Sequence, residues 1–163
     1  MKIGLLSDTH GYWDDRYREY FKDCDEIWHA GDIGAARVSN ELAAFKPFRA
    51  VYGNIDSYTE RLIYPRYLFF DCEGQKVLLT HIGGYPGRYA PDILKELHAL
   101  KPTLFICGHS HIAKVLYDKK LGLLHMNPGA AGNSGFHAVR TLMRFEINSG
   151  KIEQLEVIEL GHR

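Results

Sequence analysis

The chain has 163 residues, of which 45% are hydrophobic and 25% charged, and its 20 basic and 20 acidic side chains give a formal net charge of zero. This length fits one domain, which we expect to span residues 1–163, and it is enough to bury a sizeable core. A neutral chain has no bulk attraction to nucleic acid or to a membrane surface, and no apolar run approaches the roughly 18 residues that cross a bilayer.

The first half of the chain alternates short apolar runs with patterns of helical spacing. In chain order, the predicted elements are a strand at 3–6, a helix at 12–24, a strand at 26–30, a helix at 38–45 and a strand at 48–52. Alternation of this kind favours parallel pairing of the strands in a layered α/β fold.

The second half favours antiparallel pairs of strands. In chain order, the predicted elements are a hairpin of 67–71 and 76–80, a helix at 91–100, a buried strand at 103–107, a hairpin of 114–118 and 121–126, and a strand pair at 140–147 and 151–160. The last pair is joined by Asn148-Ser149-Gly150, whose residue types favour a turn. The sequence therefore predicts sheets of mixed strand direction.

Seven side chains of metal-binding type follow the predicted strands. They are Asp8, His10, Asp32, Asn54, His81, His109 and His111. Because parallel strands bring their carboxyl ends to one edge of a sheet, these side chains are expected to converge there. Imidazole nitrogens combined with carboxylate and amide oxygens suit Mn, Fe, Zn, Co or Ni rather than Ca or Mg. Seven ligands exceed the four of a typical zinc site, so we expect two metals that share a carboxylate.

The local spacing of the ligands also predicts how they reach one centre. In the segments 8–10 and 109–111 an extended backbone would point the first and third side chains to the same side. Glycines adjoin four of the five clusters, at Gly11, Gly31, Gly53 and Gly108, where a close backbone approach is expected. Two metals about 3.5–4 Å apart can hold a hydroxide between them and clamp both oxygens of an in-line phosphoryl displacement.

The order of these blocks resembles a known signature. The series Asp8-x-His10, Gly31-Asp32, Gly53-Asn54, His81 and Gly108-His109-Ser110-His111 resembles the five blocks of calcineurin-like metallophosphoesterases. The segments Ser7-Asp8-Thr9-His10-Gly11 and Asn127-Pro128-Gly129 resemble the small bacterial and archaeal phosphodiesterase subgroup of that superfamily. The resemblance implies a four-layer α/β/β/α sandwich of two mixed sheets, with the metal site at the carboxyl ends of the strands.

The resemblance also implies roles for the seven residues. Asp8, His10 and His111 would bind one metal, Asn54, His81 and His109 would bind the other, and Asp32 would bridge them. The cofactors would be two divalent transition-metal ions, manganese as first choice, with Ni, Fe, Zn or Co as alternatives. A hydroxide between the metals would attack phosphorus, with His109, Asp32 and Asn54 as the catalytic residues.

One position departs from the larger members of the family. They follow the Gly-Asn pair with a histidine, whereas this chain has Ile55, which can neither donate a proton nor carry charge. Well-placed general acid–base help is worth roughly 10²–10⁴-fold, so we expect slow turnover and a bias toward good leaving groups. Asp56, His125 and His137 are candidates to replace the missing acid, and the sequence does not choose among them.

Other candidates lie outside the series. His29 could support a ligand, but the interpretation we favour is a satisfied core histidine. The segment 83–89 is predicted to be a loop, in which Arg88 could bind a phosphate oxygen and Tyr85 could stack on a base. Asn127-Pro128-Gly129 is a turn by composition. The resemblance implies that this segment borders the site, so Asn127 could support a ligand there.

The expected partner is a small phosphodiester, and neither a membrane nor a nucleic acid is expected. Phosphate-backbone affinity needs a cluster of Lys and Arg, which lowers the alternative of a nuclease. Apolar residues in the tail, namely Ile152, Leu155, Val157 and Ile158, suggest a homodimer or a higher homo-oligomer. The main alternative function is a protein-binding scaffold like the retromer subunit of this family, whose metal-site histidines are altered.

The first eight residues predict the cellular location. They have the pattern of a buried strand and lack the charged and apolar regions of a secretion signal, so we expect a cytoplasmic protein. The three cysteines form no paired motif, and an odd count argues against a disulfide framework.

Overall fold

Twelve strands and four helices follow one another in a computed structural model that describes all 163 residues. In the first half these are β1 (Lys2–Leu6), α1 (Arg16–Phe21), β2 (Glu26–His29), α2 (Ala36–Phe45), β3 (Phe48–Ala50), α3 (Tyr58–Ile63), β4 (Tyr67–Cys72) and β5 (Gln75–Thr80). In the second half they are β6 (Gly84–Tyr85), β7 (Arg88–Tyr89), α4 (Pro91–Leu100), β8 (Leu104–Ile106), β9 (Ala113–Asp118), β10 (Leu123–Pro128), β11 (Val139–Asn148) and β12 (Lys151–His162).

Ten of the strands form two mixed sheets of five strands each. The first sheet has the order β12-β11-β1-β2-β3, in which β1, β2 and β3 run parallel and β11 pairs antiparallel with both of its neighbours, β1 and β12. The second has the order β4-β5-β8-β10-β9, with a parallel centre of β5, β8 and β10 between two antiparallel edge strands. Both the parallel first half and the predicted hairpins are therefore confirmed.

The hydrophobic core consists of three clusters, one between the two sheets and one between each sheet and its helices, so the molecule has four layers. Between the sheets, Trp28 and Phe145 meet edge to face with ring centres 5.9 Å apart. On the outer side of the first sheet, Phe21 of α1 and Leu42 of α2 are fully buried, and Ile93 of α4 packs on the second sheet. Each buried side chain of this size contributes about 1.5–3 kcal/mol. The predicted α/β/β/α sandwich is confirmed.

Helix α1 is shorter than the predicted helix at 12–24. The carboxylate of Asp14 accepts a hydrogen bond from the backbone N–H of Arg16 at 3.0 Å, and the residues before Arg16 form a turn. Asp favours such local bonds over helix interiors, so the aromatic spacing that begins at Trp13 overstated the helix length.

Two elements were not predicted. Helix α3 has only six residues, but its Ser57…Glu60 capping box was visible in the sequence. The segment 83–89, predicted as a loop, contains the short antiparallel ribbon of β6 and β7. The turn predicted at Asn127-Pro128-Gly129 is wrong for its first two residues, because both belong to β10. There Pro128 lies beyond the last residue that pairs with β8, so its missing N–H removes no bond to that strand.

The tail strands β11 and β12 pair across the predicted turn. Ile152 and Leu155 pack against the core between the sheets, and Ile158 packs on the helical side. Only Val157, which is 49% exposed, remains available of the four apolar residues that suggested a dimer. None of the four helices combines the length and the apolar character that a membrane crossing needs.

Candidate metal centre

The site lies where five strands end at one edge of the sandwich. The loops that follow β1, β2, β3, β5 and β8 carry the seven predicted side chains. Backbone hydrogen bonds join these loops: Asp8 N–H donates to Gly31 O and His10 N–H to Asp32 O, each at 3.0 Å. The Gly108 N–H donates to His81 O, also at 3.0 Å, which ties a loop of the second sheet to its neighbour.

Six of the seven side chains form two groups of three. Asp8, His10 and His111 form the first group, and Asp32, His81 and His109 form the second; within each group the ligand atoms lie within 4.8 Å of one another. Both groups consist of one carboxylate and two imidazoles, a donor set that suits transition metals.

The two groups are adjacent, and the seventh residue joins the second. His10 Nε2 of the first group lies 3.6 Å from Asp32 Oδ2 of the second, and His81 Nε2 lies 3.3 Å from the same oxygen. Asn54 Oδ1 is 3.1 Å from His81 Nε2. The structure therefore brings all seven predicted residues together, with Asp32 between the two groups.

The backbone reaches this arrangement differently from the prediction. Five of the seven residues have a left-handed backbone, namely Asp8 (φ 54°), His10 (φ 48°), Asp32 (φ 54°), His109 (φ 69°) and His111 (φ 57°). The segments 8–10 and 109–111 are thus not extended, and the period-two argument for them is wrong. Each such residue costs roughly 1–2 kcal/mol, a strain that persists where surrounding structure imposes it and that clusters at functional sites.

Three of the four predicted glycines make room for the ligands. A Cβ on Gly53 would lie 2.0 Å from Asp32 Oδ1, and one on Gly31 would lie 2.7–2.8 Å from atoms of the His81 side chain. Gly31 also has φ +91°, which other residues rarely adopt. A Cβ on Gly108 would lie 2.9 Å from Asp8 Oδ2, so the predicted close approach of the backbone is real at three positions. At Gly11 the nearest atom would be 3.4 Å away, which is an ordinary contact.

The electrostatics of the site call for a cation. Asp8 and Asp32 are 0% and 2% exposed, and the only positive partners within ion-pair distance are histidines. Two buried atoms that face the cluster, Asp8 Oδ1 and His10 Nε2, make no hydrogen bond. Buried polar atoms are rarely left without a partner. A divalent ion coordinated by both would satisfy them, so these residues fit a metal.

The protonation states agree with that fit. Burial alone would raise the pKa of Asp8, but the adjacent imidazoles of His10 and His111 outweigh it and hold the pKa below its usual range; His111 Nε2 lies 3.1 Å from Asp8 Oδ1. Burial lowers the pKa of His81, yet the bond to Asp32 outweighs it, so the net pKa is raised. The carboxylate of Asp32 therefore favours the protonated form of His81 when no metal is bound, and a metal at Nε2 would compete with that proton.

Outer hydrogen bonds orient two of the imidazoles. His81 Nδ1 lies 2.8 Å from the Ala30 carbonyl, which leaves Nε2 free to face the centre. His111 Nδ1 lies 3.1 Å from His137 Nδ1, and His137 Nε2 lies 2.9 Å from the Gly132 carbonyl. Such partners set the tautomer of a metal-binding histidine.

None of the three candidates for the missing acid is free at the site. The Asp56 oxygens accept hydrogen bonds from Gly34 N–H and Gly53 N–H, each at 2.7 Å. His125 is 1% exposed and lies against Cys107, and His137 is bound to His111. Ile55 itself borders the site, because its N–H donates to Asp32 Oδ1 at 3.0 Å.

Three of the remaining candidates have structural partners, and the fourth, Arg88, is exposed on β7. His29 is fully buried, with Nε2 2.9 Å from Thr9 Oγ1 and Nδ1 accepting from Gly31 N–H at 3.1 Å, which makes it a satisfied core histidine as predicted. Tyr85 lies beneath the Lys114 ammonium, 4.2 Å from it. Asn127 donates to Gly108 O at 2.8 Å and so supports the loop that carries His109.

Sequence reasoning missed a cleft beside the second group. It encloses about 210 Å³ and is lined by Asn54 and His81 together with Tyr52, Arg61 and Arg66. The two arginines flank the end of α3, the helix that was not predicted. No local pattern placed them near the ligands.

Comparison with known proteins agrees with this geometry. Residues 1–150 match the model of the calcineurin-like phosphoesterase superfamily domain. A probable metallophosphoesterase of Methanothermobacter thermautotrophicus is 31% identical over 137 residues, which cover 80% of this chain and 77% of that protein.

Solved structures share the fold. A Streptococcus pneumoniae protein described as a predicted phosphoesterase superposes with a TM-score of 0.74 at 22% identity, covering 99% of this chain and 91% of that chain. Vps29 of Entamoeba histolytica, complexed with Zn²⁺, superposes with a TM-score of 0.75 at 16% identity, covering 98% and 99%.

Proposed function

The chain belongs to the calcineurin-like phosphoesterase superfamily, and on this premise we propose that it is a cytoplasmic phosphodiesterase that uses two divalent metal ions. The family itself supports metal-dependent hydrolysis of a phosphate ester. The dinuclear centre, the diester substrate and the choice of metal are the further parts of the proposal.

The position of Asp32 carries the proposal for two metals. Its Oδ2 lies within 3.6 Å of His10 in one group and 3.3 Å of His81 in the other. A carboxylate so placed can contribute to both sites at once. Asp8, His10 and His111 would hold one ion, and Asn54, His81 and His109 the other. When bound, two such ions supply an activated water and neutralise charge on the phosphoryl oxygens.

The protein residues have separate tasks in this proposal. His109 is exposed at the mouth of the site. The pKa of its imidazole is lowered, first because part of the ring is buried and second because His81 lies beside it. Its position suits contact with a phosphoryl oxygen on which charge develops. The Ile55 N–H holds Asp32 Oδ1 in place, and Asn54 Oδ1 lies against His81 Nε2.

Two features support a diester as the substrate. A diester carries a single negative charge, which a site without a free acid can accommodate. At Ile55 there is no proton donor for the leaving group, so esters with good leaving groups would react fastest. Manganese is the metal we propose first, with Ni, Fe, Zn or Co as alternatives, because all of these suit a donor set that mixes imidazole with carboxylate and amide oxygens.

The alternative of a protein-binding scaffold has one observation in its favour, the likeness of the fold to Vps29. That likeness is below 25% identity and concerns the fold alone. All seven ligand positions here retain side chains that can bind metal, which a scaffold has no need of. We therefore place the hydrolase first.

The test is hydrolysis of bis(p-nitrophenyl) phosphate by metal-stripped protein reconstituted separately with Mn, Ni, Zn, Fe and Mg. We expect activity to return with a transition metal and to fall at least about 10²-fold in Asp32→Asn and His109→Ala. His98→Ala, which removes an exposed histidine of α4, is the control and should keep full activity. Folded protein that binds metal without turnover under every condition would favour the scaffold.

A further inference from the structure

The cleft beside the second ligand group has the composition of an anion site. Eight residues line it, and none of them is Asp or Glu, whereas Arg61 and Arg66 both are part of its wall. In a chain of zero net charge this is a local excess of positive charge. It continues directly from the metal centre, because Asn54 and His81 belong to both.

Arg61 is held in position without a carboxylate partner. Its Nε donates to the Asp56 carbonyl and its Nη2 to the Asn54 carbonyl, each at 2.9 Å. The guanidinium also lies over the Tyr52 ring, 5.1 Å from its centre. Two backbone bonds and a cation–π contact fix its orientation but leave its charge unneutralised. A planar, pre-oriented guanidinium is the group that binds phosphate best.

Arg66 can also bind an anion, although it already has a carboxylate partner. Its side chain pairs with Asp92 at the surface, where the two side chains are 59% and 48% exposed. Exposed pairs of this kind contribute little to stability, so a ligand phosphate can replace the carboxylate at low cost. The Arg66 carbonyl accepts from Thr80 Oγ1 at 3.2 Å, which anchors the backbone next to His81.

We propose that this cleft binds a second phosphate, carried on one ester arm of the phosphodiester that the metal centre hydrolyses. The inference rests on the proposed function and deepens it by naming the substrate class. The substrate is a diester with a further phosphoryl group, such as a nucleotide ester phosphorylated at a second position. The reacting diester lies at the metals, and Arg61 and Arg66 receive the second phosphate.

A matched pair of chromogenic esters tests this. The p-nitrophenyl ester of thymidine 5′-phosphate is compared with the same ester phosphorylated at the 3′ position. Both release p-nitrophenolate from the same reacting group. We expect the manganese-loaded protein to prefer the 3′-phosphorylated ester by roughly tenfold or more in kcat/KM, the worth of a charge-assisted hydrogen bond.

Arg66→Gln is the decisive variant, because its side chain makes no bond to the ligand loops. We expect the preference to fall toward one in Arg66→Gln and in Arg61→Gln. Arg37→Gln, which removes an exposed arginine of α2, keeps it unchanged. Equal use of the two esters by the wild-type protein, or a preference that survives both cleft variants, overturns the proposed subsite.

Calorimetry separates failure of the subsite from failure of the enzyme. Thymidine 3′,5′-bisphosphate and thymidine 5′-monophosphate are titrated into the manganese-loaded protein and into Arg66→Gln. Tighter binding of the bisphosphate that depends on Arg66 supports the cleft even if neither ester is hydrolysed. Hydrolysis of both esters without any preference upholds the enzyme and rejects the cleft.

Discussion

His137 lies on the outer side of the first ligand group, with its ring centre 5.1 Å from that of His111. Burial lowers the pKa of His137, which favours the neutral ring. Because the Gly132 carbonyl can only accept, His137 Nε2 carries the hydrogen and Nδ1 is an acceptor. His111 must then donate from Nδ1, which directs its Nε2 lone pair at the metal position.

Removal of this contact should weaken metal binding. We expect His137→Ala to lower the affinity for manganese roughly 10- to 100-fold, the usual effect of losing a partner of a metal-binding histidine. His137→Asn, which can still accept a hydrogen bond, should recover part of the loss. Calorimetric titration of metal into the stripped protein measures this without reference to activity. An affinity equal to that of His98→Ala would contradict the proposed role.

Replacement of Ile55 by histidine should restore a general acid that protonates the leaving group. The side chain is 45% exposed, and its residue borders Asp32, so an imidazole there reaches solvent and the site together. We expect Ile55→His to raise kcat for phenyl esters at least about tenfold, with a smaller effect on p-nitrophenyl esters, which need no proton. Ile55→Gln is the control. If phenyl esters gain nothing, the missing acid does not limit turnover.

Among the elements, α3 depends on its first residue. Ser57 Oγ accepts from Glu60 N–H, and the Glu60 carboxylate accepts from Ser57 N–H at 2.8 Å. A helix of six residues has little stability of its own, so these two bonds matter more here than in a long helix. The helix ends beside Arg66 and carries Arg61, and its cap therefore supports the arginine cleft as well.

Loss of the cap should be measurable. We expect Ser57→Ala to lower the free energy of unfolding by about 1 kcal/mol. Thr59→Ala, at an exposed position of the same helix, should change it by less than about 0.5 kcal/mol. Urea unfolding followed by circular dichroism gives both values. Equal values for the two variants would mean that the capping box does not hold α3.

For the whole molecule, His29 makes stability depend on pH. Burial lowers its pKa from 6.5 to about 4. Thr9 Oγ1 donates to the Ile33 carbonyl at 3.0 Å, so it accepts from His29 Nε2–H, while Nδ1 accepts from Gly31 N–H. A proton added at Nδ1 would face a donor and break that bond.

The direction of the effect follows from the two pKa values. The folded state keeps His29 neutral down to about pH 4, whereas the unfolded chain takes up a proton below 6.5. The contribution of neutral His29 to the free energy of unfolding is therefore complete above pH 6.5 and is lost as pH falls toward 4. We expect metal-free protein to lose about 2 kcal/mol of unfolding free energy from this group between pH 7 and pH 5. Urea titrations of wild type and His29→Gln measure it as the difference in pH dependence, and equal dependence would exclude His29.

The sequence by itself determined the architecture and the membership of the site. Apolar periodicity is a local property, so β1, β2 and the hairpin of β4 and β5 follow from it, and parallel strands ending at one edge bring Asp8, Asp32 and His81 together. The family resemblance added the layer order. Helix α3 was not predicted because six residues are too few to show a helical periodicity, although its capping residues, Ser57 and Glu60, can be recognised in the sequence.

Only the tertiary structure decided how the ligands are held and what lies beside them. The left-handed backbone at Asp8 and His10 is imposed by bonds to Gly31 and Asp32 on a neighbouring loop, which no local propensity predicts. The same holds for the link between His111 and His137 and for the approach of Arg61 to Asn54. The chain encodes these contacts through packing between distant segments, and their geometry exists only once the sheets and loops have come together.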